Sequence, residues 1–134
     1  MSVTAIVPTL NEEDNILDCL DSLAWADRRV VFDCYSSDKT VTLARAAGAD
    51  VLQHPFENYA QFHNAAMERV KAEWILFVDA DERATPELAA EIQDVIGHNL
   101  EEVLWWIPRH NYIFGRLTKG AGWYPDHQAR LLRR

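Results

Sequence analysis

Apolar residues fall along this chain in an alternation of two kinds of segment. Short, nearly continuous apolar runs are separated by longer stretches in which apolar positions return every three or four residues. Val3-Thr4-Ala5-Ile6-Val7 is the first run and is closed by Pro8-Thr9. Arg29-Val30-Val31-Phe32-Asp33, Val51-Leu52, Trp74-Ile75-Leu76-Phe77-Val78 and Val103-Leu104-Trp105-Trp106-Ile107 follow it. Runs of this kind, bounded by charge or turn residues, predict strands buried on both faces, the pattern of a parallel sheet. Between them, Ile16, Leu17, Leu20, Leu23 and Ala24 recur at helical spacing, as do Tyr59, Phe62, Ala66 and Val70, and Leu88, Ile92, Val95 and Ile96.

Punctuation supports these helices. Asn11 predicts an N-cap for the first, with Glu12, Glu13 and Asp14 in the turn where the helix dipole favours acids. Ser37 or Asp38 opens a second helix and Gly48 ends it in the left-handed position that suits glycine. Asn58 caps a third. Thr85-Pro86-Glu87 starts a fourth with a capping hydroxyl, proline at the first helical position and an acid behind it. The order β-α-β-α-β-α-β-α-β predicts an α/β fold, a doubly wound and mostly parallel sheet. From Pro108 onward the pattern fails. His110, Tyr112, Phe114, Gly115, Gly120, Gly122, Trp123, Tyr124 and Pro125 read as an aromatic, glycine-rich loop that ends at Leu131-Leu132-Arg133-Arg134.

The 134 residues fit a single domain, and 49% hydrophobic composition fits a packed core. Residues 1–108 read as its binding core and 109–134 as the start of a further region, in what is expected to be the first part of a longer catalytic domain. A net charge of −8 argues against nucleic acid as a partner, which needs basic surface to displace counterions. No apolar run reaches the length of a membrane span, and no signal peptide is recognisable. Cys19 and Cys34 lack metal-ligand spacing and predict free thiols in a reducing, cytoplasmic setting.

Chemistry concentrates where the apolar run Trp74–Val78 stops in Asp79-Ala80-Asp81-Glu82. Open α/β sheets bind ligands at the carboxyl ends of their strands. Two carboxylates crowded there repel unless a cation lies between them, and a divalent metal carrying phosphate oxygens is the natural candidate. Glu12 and Asp33 follow other strands on the same edge. Asp33 is placed to accept a hydrogen bond from the ring N–H of a base, with Thr9 or Glu12 against the nucleoside. Neither a G-x-G-x-x-G nor a G-x-x-x-x-G-K-[ST] loop is present, so a bound diphosphate would depend chiefly on metal.

Taken in order, Val3 to Glu13, the Asp33 to Thr40 turn and Asp79-Ala80-Asp81-Glu82 resemble the family 2 glycosyltransferases, whose domain has the GT-A fold. The later Gly122-Trp123-Tyr124-Pro125-Asp126 and Arg130 to Arg134 resemble most the branch that builds bacterial lipopolysaccharide core and related surface glycans. The resemblance implies an inverting transfer from a nucleotide-diphosphate sugar, UDP-sugar favoured, to a saccharide or glycolipid acceptor at the inner face of the cell membrane. It implies Pro8, Thr9, Glu12, Asp33, His63, Asp79 and Ala80 on the donor side. Asp81 would be the direct ligand of Mg²⁺ or Mn²⁺, with Asp79 assisting. Asp126 would be the base for the acceptor hydroxyl, and Trp123 and Tyr124 the aromatic surface for an acceptor sugar. His63-Asn64 stands where the family commonly has Arg-Asn. The alternatives are a nucleotide-binding module without turnover and a sugar-phosphate nucleotidyltransferase; the latter usually has a glycine-rich basic loop where this chain has Asn11-Glu12-Glu13-Asp14.

Overall fold

A computed structural model describes residues 2–98, 104–109, 112–113, 116–117 and 126–133. Strand β1 (Val3–Thr9) lies at the centre of a six-stranded sheet. Beside it on one flank are β2 (Arg28–Asp33) and β3 (Asp50–Gln53), both parallel to it in sequence. Beside it on the other is β4 (Trp74–Phe77), also parallel, with Ile6 opposite Phe77. Helices α1 (Ile16–Ser22), α2 (Thr40–Ala46) and α3 (Tyr59–Arg69) make the crossovers, and α4 (Pro86–Gly97) follows β4.

Alternation along the strands sorts the core into two layers. Val3, Ala5 and Val7 of β1, Val31 of β2, and Trp74 and Leu76 of β4 share one cluster with Ile16, Leu20, Ala44, Ile92 and Ile96. That layer holds α1, α2 and α4. Ile6, Val30, Phe32, Ile75 and Phe77 point the other way and pack on Phe62, Ala66 and Val70 at α3. The chain therefore winds β1 to β3 over one face and returns to β4 over the other. This leaves the reversal of strand order, and its crevice, between the carboxyl ends of β1 and β4.

Two of the expected caps are present. Asn58 accepts from Gln61 N–H at 2.9 Å and Thr85 from Leu88 N–H at 3.1 Å, with Pro86 in the first turn of α4. Gly48 lies at φ +88° just beyond α2, as its position predicts. The start of α1 differs from expectation. Asn11 adopts a left-handed φ of 54° and does not cap; α1 begins after Asn15, whose side chain makes no cap hydrogen bond. The Asn11 carboxamide oxygen instead accepts from Ser37 N–H at 2.8 Å, 26 residues away, which ties the β1–α1 loop to the β2–α2 turn.

The larger correction is at the C-terminal end. β5 (Leu104–Arg109) is not the neighbour of β4, because β8 (Asp126–Arg133) lies antiparallel between them. The expected loop thus ends in a full strand, and Asp126 opens it, its backbone paired opposite Arg109. Residues Leu131 and Leu132 are paired with Leu76 and Ile75 in the middle of the sheet. The β5–β8 register shifts between Trp105 and Trp106, an irregularity the sequence pattern did not suggest. Two short strands, β6 (Tyr112–Ile113) and β7 (Arg116–Leu117), pair with each other in a separate sheet. Among the described residues, no helix is long and apolar enough to cross a membrane.

Candidate functional site

A cleft of about 610 Å³ opens at the switch point of the sheet. The end of β1 gives it Pro8, Thr9 and Leu10, with Glu12 following; the end of β4 gives Asp79, Ala80 and Asp81. Phe56, Tyr59, Phe62 and His63 form the α3 side, and Arg130 reaches in from β8. The volume is in the range of small-ligand sites. Of the residues expected on the donor side, all but Asp33 line this cleft.

Asp33 lies beneath it and is fully buried. One carboxylate oxygen accepts from the hydroxyls of Thr9, at 2.7 Å, and Ser36. The other accepts from Ser36 N–H at 2.9 Å and from the Gln53 amide at 3.1 Å. Burial pushes the carboxyl upward, but the hydrogen bonds from Ser36, Thr9 and Gln53 outweigh it and hold the group below its ordinary value. An ionised Asp33 thus orients Thr9, which does line the cleft. Around it, Glu12 N–H donates to Thr40 Oγ1 at 2.9 Å and Glu13 N–H to Asp38 at 3.1 Å. The two loops are therefore joined along their length.

The acidic turn after β4 is held from three directions. Glu82 N–H donates to Asp79 C=O at 2.9 Å, and the Glu82 carboxylate returns the contact by accepting from Asp79 N–H at 2.8 Å. Arg83 donates to the carbonyls of Ala80 and Glu82 at 2.8 and 2.9 Å. Arg130 Nη2 lies 3.2 Å from both Asp79 Oδ2 and Glu82 Oε2. Ala80 is buried, whereas Asp81 is exposed. Repulsion between the carboxylates is thus relieved in part by a guanidinium of the chain itself. Among the described residues, no group of three or more His, Cys, Asp or Glu side chains is clustered to hold a metal ion. A cation on Asp79 and Asp81 would take its remaining ligands from water or substrate, an arrangement usual for Mg²⁺.

His63 Nδ1 lies 2.8 Å from the Tyr59 carbonyl. A carbonyl only accepts, so Nδ1 carries the hydrogen and Nε2 of the neutral ring is an acceptor. That suits a sugar or ribose hydroxyl better than a phosphate. Of the remaining expected residues, Trp123 and Tyr124 lie outside the described residues, and Asp126 is placed by its backbone alone.

Arg130, Glu82 and the aromatic side Phe56–Tyr59–Phe62 were not singled out as site residues by sequence reasoning. Phe56 and Tyr59 carry a signal as large aromatic residues flanking the predicted cap Asn58; both are exposed, and their rings meet edge to face at 5.2 Å.

The glycosyl transferase family 2 model matches residues 4–133. The lipopolysaccharide core biosynthesis glycosyltransferase LpsC of Rhizobium meliloti (strain 1021) is 28% identical over 144 aligned positions, which cover 100% of this chain and 52% of LpsC. An uncharacterized glycosyltransferase of Rickettsia bellii (strain RML369-C) is 37% identical over 92 residues, covering 68% of this chain and 31% of that protein. The chain thus spans about half, or less, of the length of these relatives. Among solved structures, glucosyl-3-phosphoglycerate synthase from Mycobacterium tuberculosis in complex with Mn²⁺, UDP and glucosyl-3-phosphoglycerate superposes with a TM-score of 0.60. The match is at 20% identity over 77% of this chain and 42% of that one. The likeness is one of fold, the GT-A type.

Proposed function

The chain belongs to glycosyl transferase family 2, and from that premise we propose that its cleft binds a nucleoside-diphosphate sugar, UDP-sugar by preference, as the donor of a glycosyl transfer. One observation carries the reading. The fold brings Pro8, Thr9 and Glu12 from the first strand end and Asp79, Ala80 and Asp81 from the fourth to the same cleft, although some 70 residues separate them in sequence.

Roles follow from position. Pro8 and Thr9 shape the nucleoside side. Asp33 meets the base edge by exchanging Gln53, whose hydrogen bond is the longest of its four. Buried Ala80 has too small a side chain to keep a sugar phosphate from the backbone. His63 Nε2 accepts a hydroxyl. Mg²⁺ or Mn²⁺ would be held by Asp81 with Asp79, and the two carboxylates fit it because hard cations take oxygen ligands and share them with diphosphates. When bound, the ion supplies Lewis-acid stabilisation of the departing nucleoside diphosphate. The solved relative with Mn²⁺ and UDP and the absence of a glycine-rich phosphate loop both support this assignment.

For the acceptor half, Asp126 is proposed as the carboxylate that deprotonates the incoming hydroxyl in an inverting displacement, with Trp123 and Tyr124 against the acceptor sugar. Similarity to LpsC supports a saccharide or glycolipid acceptor in envelope polysaccharide synthesis, with the protein peripheral to the inner face of the membrane. The test is calorimetry with a panel of nucleoside diphosphates, with and without Mn²⁺. UDP is expected to bind best and to require the ion. Asp81→Asn keeps shape but removes the charge, so it should abolish the Mn²⁺-dependent gain. Equal UDP affinity in Asp81→Asn would remove the metal role, and no nucleotide binding by the unaltered chain would remove the donor reading.

A further inference from the structure

β8 enters the sheet antiparallel to β4 with Leu131 opposite Leu76. Arg130 is therefore carried one step further toward the carboxyl end of β4, where Asp79 stands. Its side chain is only 12% exposed and is directed at the acidic turn, whereas Asp79 is 43% exposed and faces the cleft. Among the described residues lining the cleft, Arg130 carries the one permanent positive charge, against Glu12, Asp79 and Asp81.

The pairing has a particular geometry. A single nitrogen, Nη2, serves both Asp79 Oδ2 and Glu82 Oε2, each at 3.2 Å. An arginine fork matched to one carboxylate makes two parallel contacts at about 2.7–2.9 Å. These contacts are longer and divided between two acids, so neither uses the guanidinium fully. Glu82 is anchored independently through Asp79 N–H, so the turn keeps a second support if Arg130 moves.

We propose that Arg130 is an exchangeable counter-ion. It neutralises the acidic turn in the empty cleft and turns to the donor diphosphate once a divalent cation takes over Asp79. The inference rests on the donor reading above and adds a coupling to it. A cation arriving alone must compete with the guanidinium for Asp79. A diphosphate arriving alone meets an arginine already committed to two carboxylates, with Asp81 and Glu12 still repelling it. Each ligand frees the partner the other needs, and linkage then makes their affinities rise together by the same factor.

The experiment is calorimetry of Mn²⁺ alone, UDP alone and UDP at saturating Mn²⁺, on the unaltered chain, Arg130→Gln and Arg130→Lys, with melting curves to confirm folding. In the unaltered chain Mn²⁺ should raise UDP affinity on the order of tenfold or more, within the usual range of coupling. Arg130→Gln should bind Mn²⁺ alone several-fold more tightly, because its competitor is gone, yet lose most of the Mn²⁺-dependent gain for UDP. These changes have opposite signs, which mere loosening of the turn would not produce. Arg130→Lys retains a charge but no planar fork and should lie between the two in Mn²⁺ affinity. If Arg130→Gln folds, Mn²⁺ affinity in it equal to or weaker than in the unaltered chain overturns the exchange. If it does not fold, the same result in Arg130→Lys does so. Failure of the unaltered chain to bind UDP at all would instead sink the donor reading, so the two failures are distinguishable.

Discussion

Replacing Asp33 tests how the β1–β2 side of the cleft is built. Its two oxygens are not equivalent. One receives hydroxyls from Thr9 and Ser36, which can rotate and reverse the direction of donation. The other receives Ser36 N–H, which can only donate, and the Gln53 amide. Asp33→Asn can place its NH₂ toward the hydroxyls and its oxygen toward Ser36 N–H. It then loses chiefly the charge-assisted part of four bonds, at a cost of about 1–2 kcal/mol. Asp33→Ala offers no acceptor to Ser36 N–H and leaves a void in a buried position, at about 3–5 kcal/mol. Urea unfolding followed by circular dichroism, with the slope against denaturant unchanged, measures the difference. The acid limb supplies a second check. A folded pKa held below the unfolded value of about 3.9 stabilises the protein above that pH, and this contribution is lost as pH falls through the folded value. The limb below about pH 4 should therefore flatten in both variants. Where Asp33→Ala stays folded, uridine and UDP should weaken by the same factor, because the residue is proposed to meet the base and not the phosphates. Equal destabilisation by Asn and Ala, with an unaltered acid limb, would refute this account of the site.

The two cysteines should differ sharply toward iodoacetamide at pH 8, read by peptide mass spectrometry. Burial pushes the Cys19 thiol up to about 12, with Arg83 opposing and Glu82, Asp79 and Asp81 adding to it, so Cys19 should resist alkylation until the protein unfolds. Cys34 is half-buried and lines the cleft; it should react, and UDP with Mn²⁺ should protect it. Equal labelling, or no protection by bound nucleotide, contradicts the placement. Gly48→Ala puts a Cβ on a backbone at φ +88° and 3.4 Å from Arg29 Nη2, and should lower stability by about 1–2 kcal/mol in thermal melts without changing UDP affinity. A loss too small to measure would mean that this turn relaxes to a different conformation.

What was legible in the sequence divides by the range of the interaction. The caps of α3 and α4 were readable because a capping side chain serves an N–H three residues on. The central strands were readable because burial on both faces writes a continuous apolar run. Asn11 was misread for the converse reason. An Asn followed by three acids has the form of an N-cap, but its partner is Ser37 N–H, and nothing local distinguishes the two outcomes. β8 was missed because Leu131 and Leu132 are too short a run to predict a strand. They become one by pairing with β4 and β5 on either side, a tertiary condition that overrides weak local preference.

The acidic turn shows the same division within the site. Asp79 and Asp81 could be found because strand ends in such sheets face the crevice, and their mutual repulsion could be inferred from spacing alone. What relieves that repulsion could not be, because Arg130 comes from a strand whose sequence has no strand pattern of its own, 51 residues away. The distinction changes the chemistry. If only a metal relieves the repulsion, the empty cleft is strongly anionic and metal binding is uncompeted. With Arg130 in place, the empty cleft is less hostile to a diphosphate, while under the proposed exchange a metal would have to displace a guanidinium to use Asp79. Asp81, exposed and outside that ion pair, would then be the carboxylate a cation meets first. Asp79 would follow most readily when the arginine has another anion to hold. On the proposed exchange, the order of assembly would be set by which of two neighbouring acids the inserted strand reaches.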